Sequence, residues 1–549
     1  MEVTLPRPGS ERNHGMTDDP ALHPLELLSE SEPAEGIAPP VTLRDEVGLT
    51  SRVVRGSFWN FGGQGLTMLA TLVATPFVIR LLGVPAYGVL TLVHVLIGYL
   101  AFGDLGMGTA STRFASQSHA VGDDKGEAAA IWSALALAAM PATTVALVLM
   151  FGAPFLVEHG LHLPPPLRAA AIVAARLAAI GFLARAVAGV LNTPAVVRLR
   201  MDLVAFVTTI TSAGQILLIP VVLLLGGGLT SAVIVIAGAA VVSAILFAVI
   251  GVRLLPSLRQ PHIDRALMKP LARFGGALMV SSMTATLLAN SEKLLLPRFA
   301  SLQALAFYSI AFSLAYMPTQ LPVTIVQSLV PAFSRLSMNP DRAAFQLLYR
   351  RALRGMLYWA VPSAMFICAV AQPFLTIWAG PEFGRESTIP LYLLMGGIVA
   401  QIMTYVPYSL LVALGRTDLI ARCNVSLVAP YLIVSGLLIY RFGAVGAAIA
   451  WSLRTLTGAL AFVYFARRTS GFAFSPWPDN KRDYLVAATI LILPVPLVAI
   501  LTPSSAIRIG VAVVAVAAHA LLVLTRVLTP EERVALRRLV PSGRSRTLS

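Results

Sequence analysis

Charge is scarce in this chain. Only 12% of its 549 residues are Asp, Glu, Lys or Arg, against about 25% in an ordinary soluble domain. With 57% hydrophobic residues, that shortage excludes a water-soluble fold. Cysteine is scarce too. Cys368 and Cys423 both lie in apolar runs, which excludes a disulfide framework and marks them as packing residues. There is no Walker loop and no zinc-protease motif. Long connections are also missing on the side of the membrane that carries few basic residues. The longest are "PFLVEHGLHLPPPL" (154–167) and "AGPEFGRE" (379–386). Membrane glycosyltransferases and ligases need a sizeable external loop to hold their chemistry, so the expectation is a protein that is not an enzyme. Residues 1 to about 45 are polar, rich in Pro and Glu, and lack an apolar core ahead of a small-residue cleavage site. They read as a disordered tail rather than a signal peptide.

What the chain has is apolar runs near the roughly 20 residues that span a bilayer. They place fourteen spans at about 56–80, 85–108, 127–153, 168–191, 203–225, 229–252, 271–298, 302–332, 353–378, 387–413, 418–440, 444–466, 484–501 and 505–527. The basic residues orient them. With the N-terminus in the cytoplasm, inside segments hold 29 Lys and Arg and outside segments hold 6. That asymmetry predicts an even number of spans and both termini inside. It also accounts for the net charge of +15 without a nucleic-acid partner. The basic inner loops set topology and attract anionic membrane lipids.

The spans repeat. Pro76 and Pro297 are 221 residues apart, as are Tyr87 and Tyr308; Arg113 and Arg335 are 222 apart. Each copy has a span with a late proline, a short outer turn, a tyrosine opening the next span, and a basic residue at that span's inner end. The expected architecture is therefore an all-α polytopic membrane protein of about fourteen transmembrane helices. It comprises a cytoplasmic tail (1–50), an N-terminal six-helix lobe (51–265), a pseudo-symmetric C-terminal six-helix lobe (266–470), a helix pair (480–528) and a second cytoplasmic tail (529–549). Substrate sites tend to lie between such halves.

The opening "GSFWNFGGQGLTMLATLVATPFVIRLLGVPAYGVLTL", the segment "AFGDLGMGTASTRF", the pair in "NSEKLLLPRFASLQALAFYS", and "VPAFSRL" and "GAVGAAIAWSL" resemble the oligosaccharide flippases of the multidrug/oligosaccharidyl-lipid/polysaccharide exporter superfamily. The resemblance covers about residues 50–527. The acid of the pair is commonly Asp in that family and is Glu292 here. The resemblance implies a protein of the bacterial inner membrane that moves a polyprenyl-diphosphate-linked oligosaccharide to the outer leaflet by alternating access. Its expected partners are the lipid-linked oligosaccharide, membrane lipids, and the polysaccharide polymerase and glycosyltransferases. No cofactor is expected beyond a coupling proton or sodium ion. A lipid II flippase and a cation-coupled multidrug exporter of the same superfamily are the alternatives.

A diphosphate needs cations with donors, so the basic residues within spans are the candidates. Arg454 lies about ten residues from either end of its span, too deep to snorkel easily. It either lines the cavity or pairs with the last two spans. Arg176 and Arg185 share the fourth span. Nine residues at about 100° each turn roughly 900°, so they point to opposite faces. Arg185 is within reach of the inner headgroups. Glu292 and Lys293 are adjacent, diverge by about 100°, and so do not pair well with each other. Lys293 is read as meeting phosphate or sugar, and Glu292 as carrying the coupling ion or holding an arginine. Asp104 is a candidate cap or gating ion pair. His94 is a candidate cavity wall or a packed, hydrogen-bonded side chain. Asn60, Gln64 and Asn290 either bond sugar hydroxyls or join helices.

Overall fold

The computed structural model describes residues 43–100, 106–160, 165–337, 342–470, 489 and 504–527. The chain divides into a short unit, Met1–Ser51, and a large one, Arg52–Ser549. Of the short unit only residues 43–51 are described, and they are helical. The large unit holds the helical bundle.

Every regular element among the described residues is helical. In lipid there is no water to satisfy the backbone, so apolar runs bond internally as helices. The first half gives α1 (Leu43–Leu82), α2 (Val84–Leu100), α3 (Met107–Ala120), α4 (Asp124–Phe155), α5 (Pro165–Leu191), α6 (Thr193–Val197), α7 (Met201–Leu224) and α8 (Leu229–Leu254). The second gives α9 (Arg265–Phe299), α10 (Leu302–Tyr316), α11 (Gln320–Ser337), α12 (Arg342–Trp378), α13 (Pro381–Glu386), α14 (Thr388–Ala413), α15 (Thr417–Ser470) and α16 (Ser505–Leu522). Side-chain caps start three of them. Asp123 accepts from the Gly126 N–H at 2.9 Å, Asp264 from Ala266 at 2.8 Å and Ser301 from Ala304 at 3.0 Å.

Among the described residues ten helical segments are long and apolar enough to cross a bilayer. Their outward faces carry large apolar side chains such as Phe151, 78% exposed, and Leu224, 64% exposed. A soluble protein could not sustain a surface of that kind; a lipid-facing one requires it. Asp104 and, apart from residue 489, the span expected at 484–501 lie outside the described residues.

α15 is two helices. Gly443 breaks it at φ 55°, ψ −129°. A side chain at Gly446 would run into the backbone of Leu438 and Ile439. In a straight helix those residues would lie about 12 Å away, so the chain doubles back there. The second and eighth expected spans are each interrupted. The left-handed Gly106, at φ 69°, breaks the second just before α3 begins. α10 passes through a 3-10 turn, Met317–Thr319, into α11.

The repeat-related helices α2 and α10 pack on each other. Gly88 makes this possible, because any side chain there would strike the carbonyl of Leu302. A continuous apolar core joins them, with Leu90 and Val93 of α2 alongside Leu305, Ile310 and Leu314 of α10. Near the start of α9 the contacts are polar. The Trp132 indole donates to the Leu258 carbonyl at 3.0 Å, the Asp264 N–H donates to Ser133 Oγ at 2.9 Å, and Arg113 lies 4.4 Å from the Phe274 ring centre. Beneath them Glu127 is wholly buried. It accepts a fork from Arg198 at 2.5 and 3.2 Å and meets His119 Nδ1 at 3.1 Å. This brace ties α3, α4 and the end of α6 together.

Candidate functional site

Three cavities adjoin inside the bundle. The first, about 600 Å³, lies among α1, α2, α7, α9 and α10 and is bordered by Thr71, Thr75, His94, Gln215, Lys293 and Ser313. The second, about 530 Å³, lies among α9, α10, α11, α14 and α15. The two share Asn290. A third, about 590 Å³, shares Thr71 and Ser313 with the first and Tyr316 with the second, and takes in Gln64.

The hydroxyls of the first cavity are half used. Thr71 donates to the Thr67 carbonyl at 2.9 Å, Thr75 to Thr71 at 2.7 Å, Thr91 to Tyr87 at 3.0 Å and Ser313 to Ser309 at 2.8 Å. Returning the proton to the helix satisfies the donor in a place without bulk water. The oxygen lone pairs stay open toward the cavity, so the wall accepts from ligand hydroxyls.

Lys293 supplies the positive charge. Its ammonium donates to Asn290 Oδ1 at 2.9 Å and lies 4.2 Å from the Phe312 ring centre. A lysine has three donors, so this one bond leaves capacity for an anion. Glu292, its neighbour, goes the other way. No part of it is exposed, and its two oxygens accept from Tyr308 Oη at 3.0 Å and Tyr431 Oη at 2.7 Å. That bond set links α9, α10 and α15. Of the adjacent pair, then, only Lys293 borders the cavity. Both Lys293 and Arg454 lie within electrostatic reach of Glu292. The first copy of the repeat has no such pair: 221 residues earlier stand Thr71 and Leu72.

The remaining candidates scatter. Arg454 borders the second cavity with its guanidinium 5.4 Å from the Tyr431 ring centre and 5.5 Å from that of Trp451. His94 borders the first, with Nδ1 at 3.0 Å from the Leu90 carbonyl. Arg185 is within electrostatic reach of His94. Arg176 is exposed and donates to the Met150 carbonyl of α4 at 3.3 Å. The two arginines of α5 thus face different neighbours, α4 and α2. The Asn60 side chain and Asp104 lie outside the described residues. Tyr431 was not legible as a partner of Glu292, because 139 residues separate them. Tyr308 had a signal as the repeat mate of Tyr87, though not one that named its acceptor. Among the described residues no cluster of three His, Cys, Asp or Glu could hold a metal ion.

A multi-pass helical bundle enclosing a polar, cationic hollow has the architecture of a membrane transporter. Comparison with known proteins agrees. The chain matches the family described as polysaccharide biosynthesis protein over residues 53–337, just over half its length, and it belongs to that family. It is 25% identical over 227 residues to a Shigella flexneri protein named as an O-antigen transporter, a match covering 41% of this chain and 54% of the relative. The chain therefore spans about half the length of the curated relative it matches. Its fold is similar to that of the lipid II flippase MurJ in an inward closed conformation, with TM-score 0.66, 11% identity, and coverage of 89% of this chain and 100% of that one. It is also similar to an inward-facing multidrug resistance transporter of the MATE family in the MOP superfamily, with TM-score 0.64, 12% identity, and coverage of 74% and 94%.

Proposed function

We propose that this protein is a flippase. It carries a polyprenyl-diphosphate-linked oligosaccharide from the inner to the outer leaflet of the bacterial cytoplasmic membrane, by alternating access, for surface polysaccharide synthesis. One observation carries the reading: the Lys293 ammonium, with donors to spare, in the wall of a hydroxyl-rich cavity of about 600 Å³. A cation inside a membrane protein is costly unless it is paired or faces a polar hollow. An anionic headgroup is the ligand such a hollow favours; His94 also borders it, and Arg185 lies within electrostatic reach of His94.

The other features fit the remaining parts of the substrate. The open lone pairs of Thr71, Thr75 and Ser313 suit sugar hydroxyls. An apolar groove of about 730 Å³, bordered by Phe77, Phe366, Phe374 and Ile509 with Arg80 among its lining, suits the isoprenoid tail. In this reading the halves 51–265 and 266–470 rock about the α2–α10 contact. Fourteen helices place both termini in the cytoplasm, and residues 480–528 form an added pair. Glu292 is the coupling group: a proton or sodium ion arriving there would loosen its hold on Tyr308 and Tyr431. A multidrug exporter selecting cationic amphiphiles would want an acidic cavity, and this one is basic.

The test is to delete the gene and identify the lipid-linked sugar that accumulates. The proposal expects a polyprenyl-diphosphate oligosaccharide trapped on the inner leaflet. Normal surface glycan together with new sensitivity to cationic drugs would overturn it.

A further inference from the structure

The second cavity, about 530 Å³, differs in kind from the first. Its walls come only from the second half of the chain, and they are aromatic: Phe312, Tyr316, Tyr405, Tyr408, Trp451 and Phe462. It holds a single cation, Arg454. Among the described residues no ion pair reaches that guanidinium, and its Nε is buried without an acceptor. The indole N–H of Trp451, a residue only 2% exposed, is likewise buried and unpartnered. Buried donors are almost always satisfied, and leaving one unmade is expensive. Two of them on side chains bordering one cavity call for an acceptor from a ligand.

We propose that this cavity is a subsite for a carboxylated pyranose, a uronic-acid-type residue of the glycan. The proposal rests on the flippase reading above and names the substrate class for one part of that site. Arg454 takes the carboxylate, whose planar pair of oxygens matches the guanidinium fork. The aromatic faces take the apolar C–H faces of the sugar ring. Asn290, Gln401 and Asn424 meet its hydroxyls. In the unliganded protein the faces of Tyr431 and Trp451, 5.4 and 5.5 Å away, hold the guanidinium by cation–π attraction, and Glu292 lies within electrostatic reach without making an ion pair. A single cation answers a single negative charge, whereas a diphosphate needs more than one. The cavity with Lys293 also has His94 in its wall, itself within electrostatic reach of Arg185, and is the better place for that group. Asn290 borders both cavities and is held by Lys293. A glycan whose diphosphate lies at Lys293 can therefore extend its sugars past Asn290 to Arg454.

The experiment titrates the purified full chain in lipid nanodiscs with D-glucuronate, D-glucose and inorganic diphosphate, following tryptophan emission. The wild type is expected to bind glucuronate at least tenfold tighter than glucose. Arg454→Gln should abolish that preference and leave diphosphate affinity unchanged. Lys293→Gln should weaken diphosphate and leave the preference intact. Asn424→Leu, which keeps the cation, should weaken both sugars together and preserve their ratio. Equal wild-type affinity for the two sugars overturns the proposal. So does an Arg454→Gln variant that keeps the preference, or one that loses diphosphate instead. Discrimination by a chain that moves no lipid-linked oligosaccharide in proteoliposomes would sink the flippase reading and leave the subsite standing. Transport without discrimination would sink the subsite alone.

Discussion

Tyr431→Phe removes one hydroxyl from the Glu292 clamp and leaves the ring in place. The lost bond is short, 2.7 Å, and joins residues 139 apart in sequence. Its acceptor is a carboxylate with no exposure. A hydrogen bond to a charged group is worth about 1.5–3 kcal/mol in proteins generally. Interhelical bonds in membranes average about 0.6 and reach about 1.7 kcal/mol, because the unfolded chain finds other partners within the bilayer. A short, fully enclosed bond to a carboxylate belongs at the upper end of that membrane range. Tyr308 still donates to the other oxygen at 3.0 Å, so the carboxylate is not orphaned, which caps the loss. The expected cost is about 1.5 kcal/mol, close to tenfold in the folding equilibrium. The assay is reversible unfolding by SDS in mixed micelles, run on the wild type, Tyr431→Phe, Glu292→Gln and the double variant. The coupling between the two sites should be about 1 kcal/mol, since contacting residues are non-additive while independent ones add within about 0.3–0.5 kcal/mol. A coupling inside that additive error would refute the view that Glu292 fastens α9 to α15.

Other outcomes are as definite. Glu127→Ala leaves Arg198 without its buried partner and should cost about 3 kcal/mol in the same unfolding assay; Glu127→Ala with Arg198→Met should recover part of that loss. Gly88→Leu should prevent α2 from closing on α10, seen as lost cross-linking between cysteines placed on the two helices, with the chain still inserted in membranes. Arg454→Ala should lower surface glycan export in cells while membrane insertion is unchanged. For the proposed topology, a membrane-impermeant maleimide should label Gln260→Cys only from the cytoplasm and Glu382→Cys only from outside; labelling of both from one side contradicts that proposal.

Much of the fold could be read from the sequence because the bilayer imposes a local rule. A lipid-facing helix must be apolar along its length, so the runs at 229–252 and 387–413 end within two residues of the observed Leu229–Leu254 and Thr388–Ala413. The break at Gly443 fell between two expected spans for the same reason. The break at Met317–Thr319 was not seen, although Pro318 marks it, because the apolar run continues straight through. The site was less legible. Helical geometry says that adjacent residues diverge, and Glu292 and Lys293 do. Apart from Asn290, one turn before Lys293, nothing local names their partners, since Tyr431 and Phe312 arrive by tertiary packing. Glu127 reads as one more acid beside Asp123 and Asp124 at a helix start. Its burial depends on Arg198 from 71 residues away.

In the proposed mechanism a cation in the cleft receives the anionic headgroup. Reconstituting the protein into liposomes with a fluorescent polyprenyl-diphosphate oligosaccharide, and measuring its appearance in the opposite leaflet, tests this most directly. Wild-type protein should accelerate the crossing, and Lys293→Ala of equal abundance and fold should slow it at least tenfold. Crossing at the wild-type rate by that variant would show that Lys293 does not receive the headgroup.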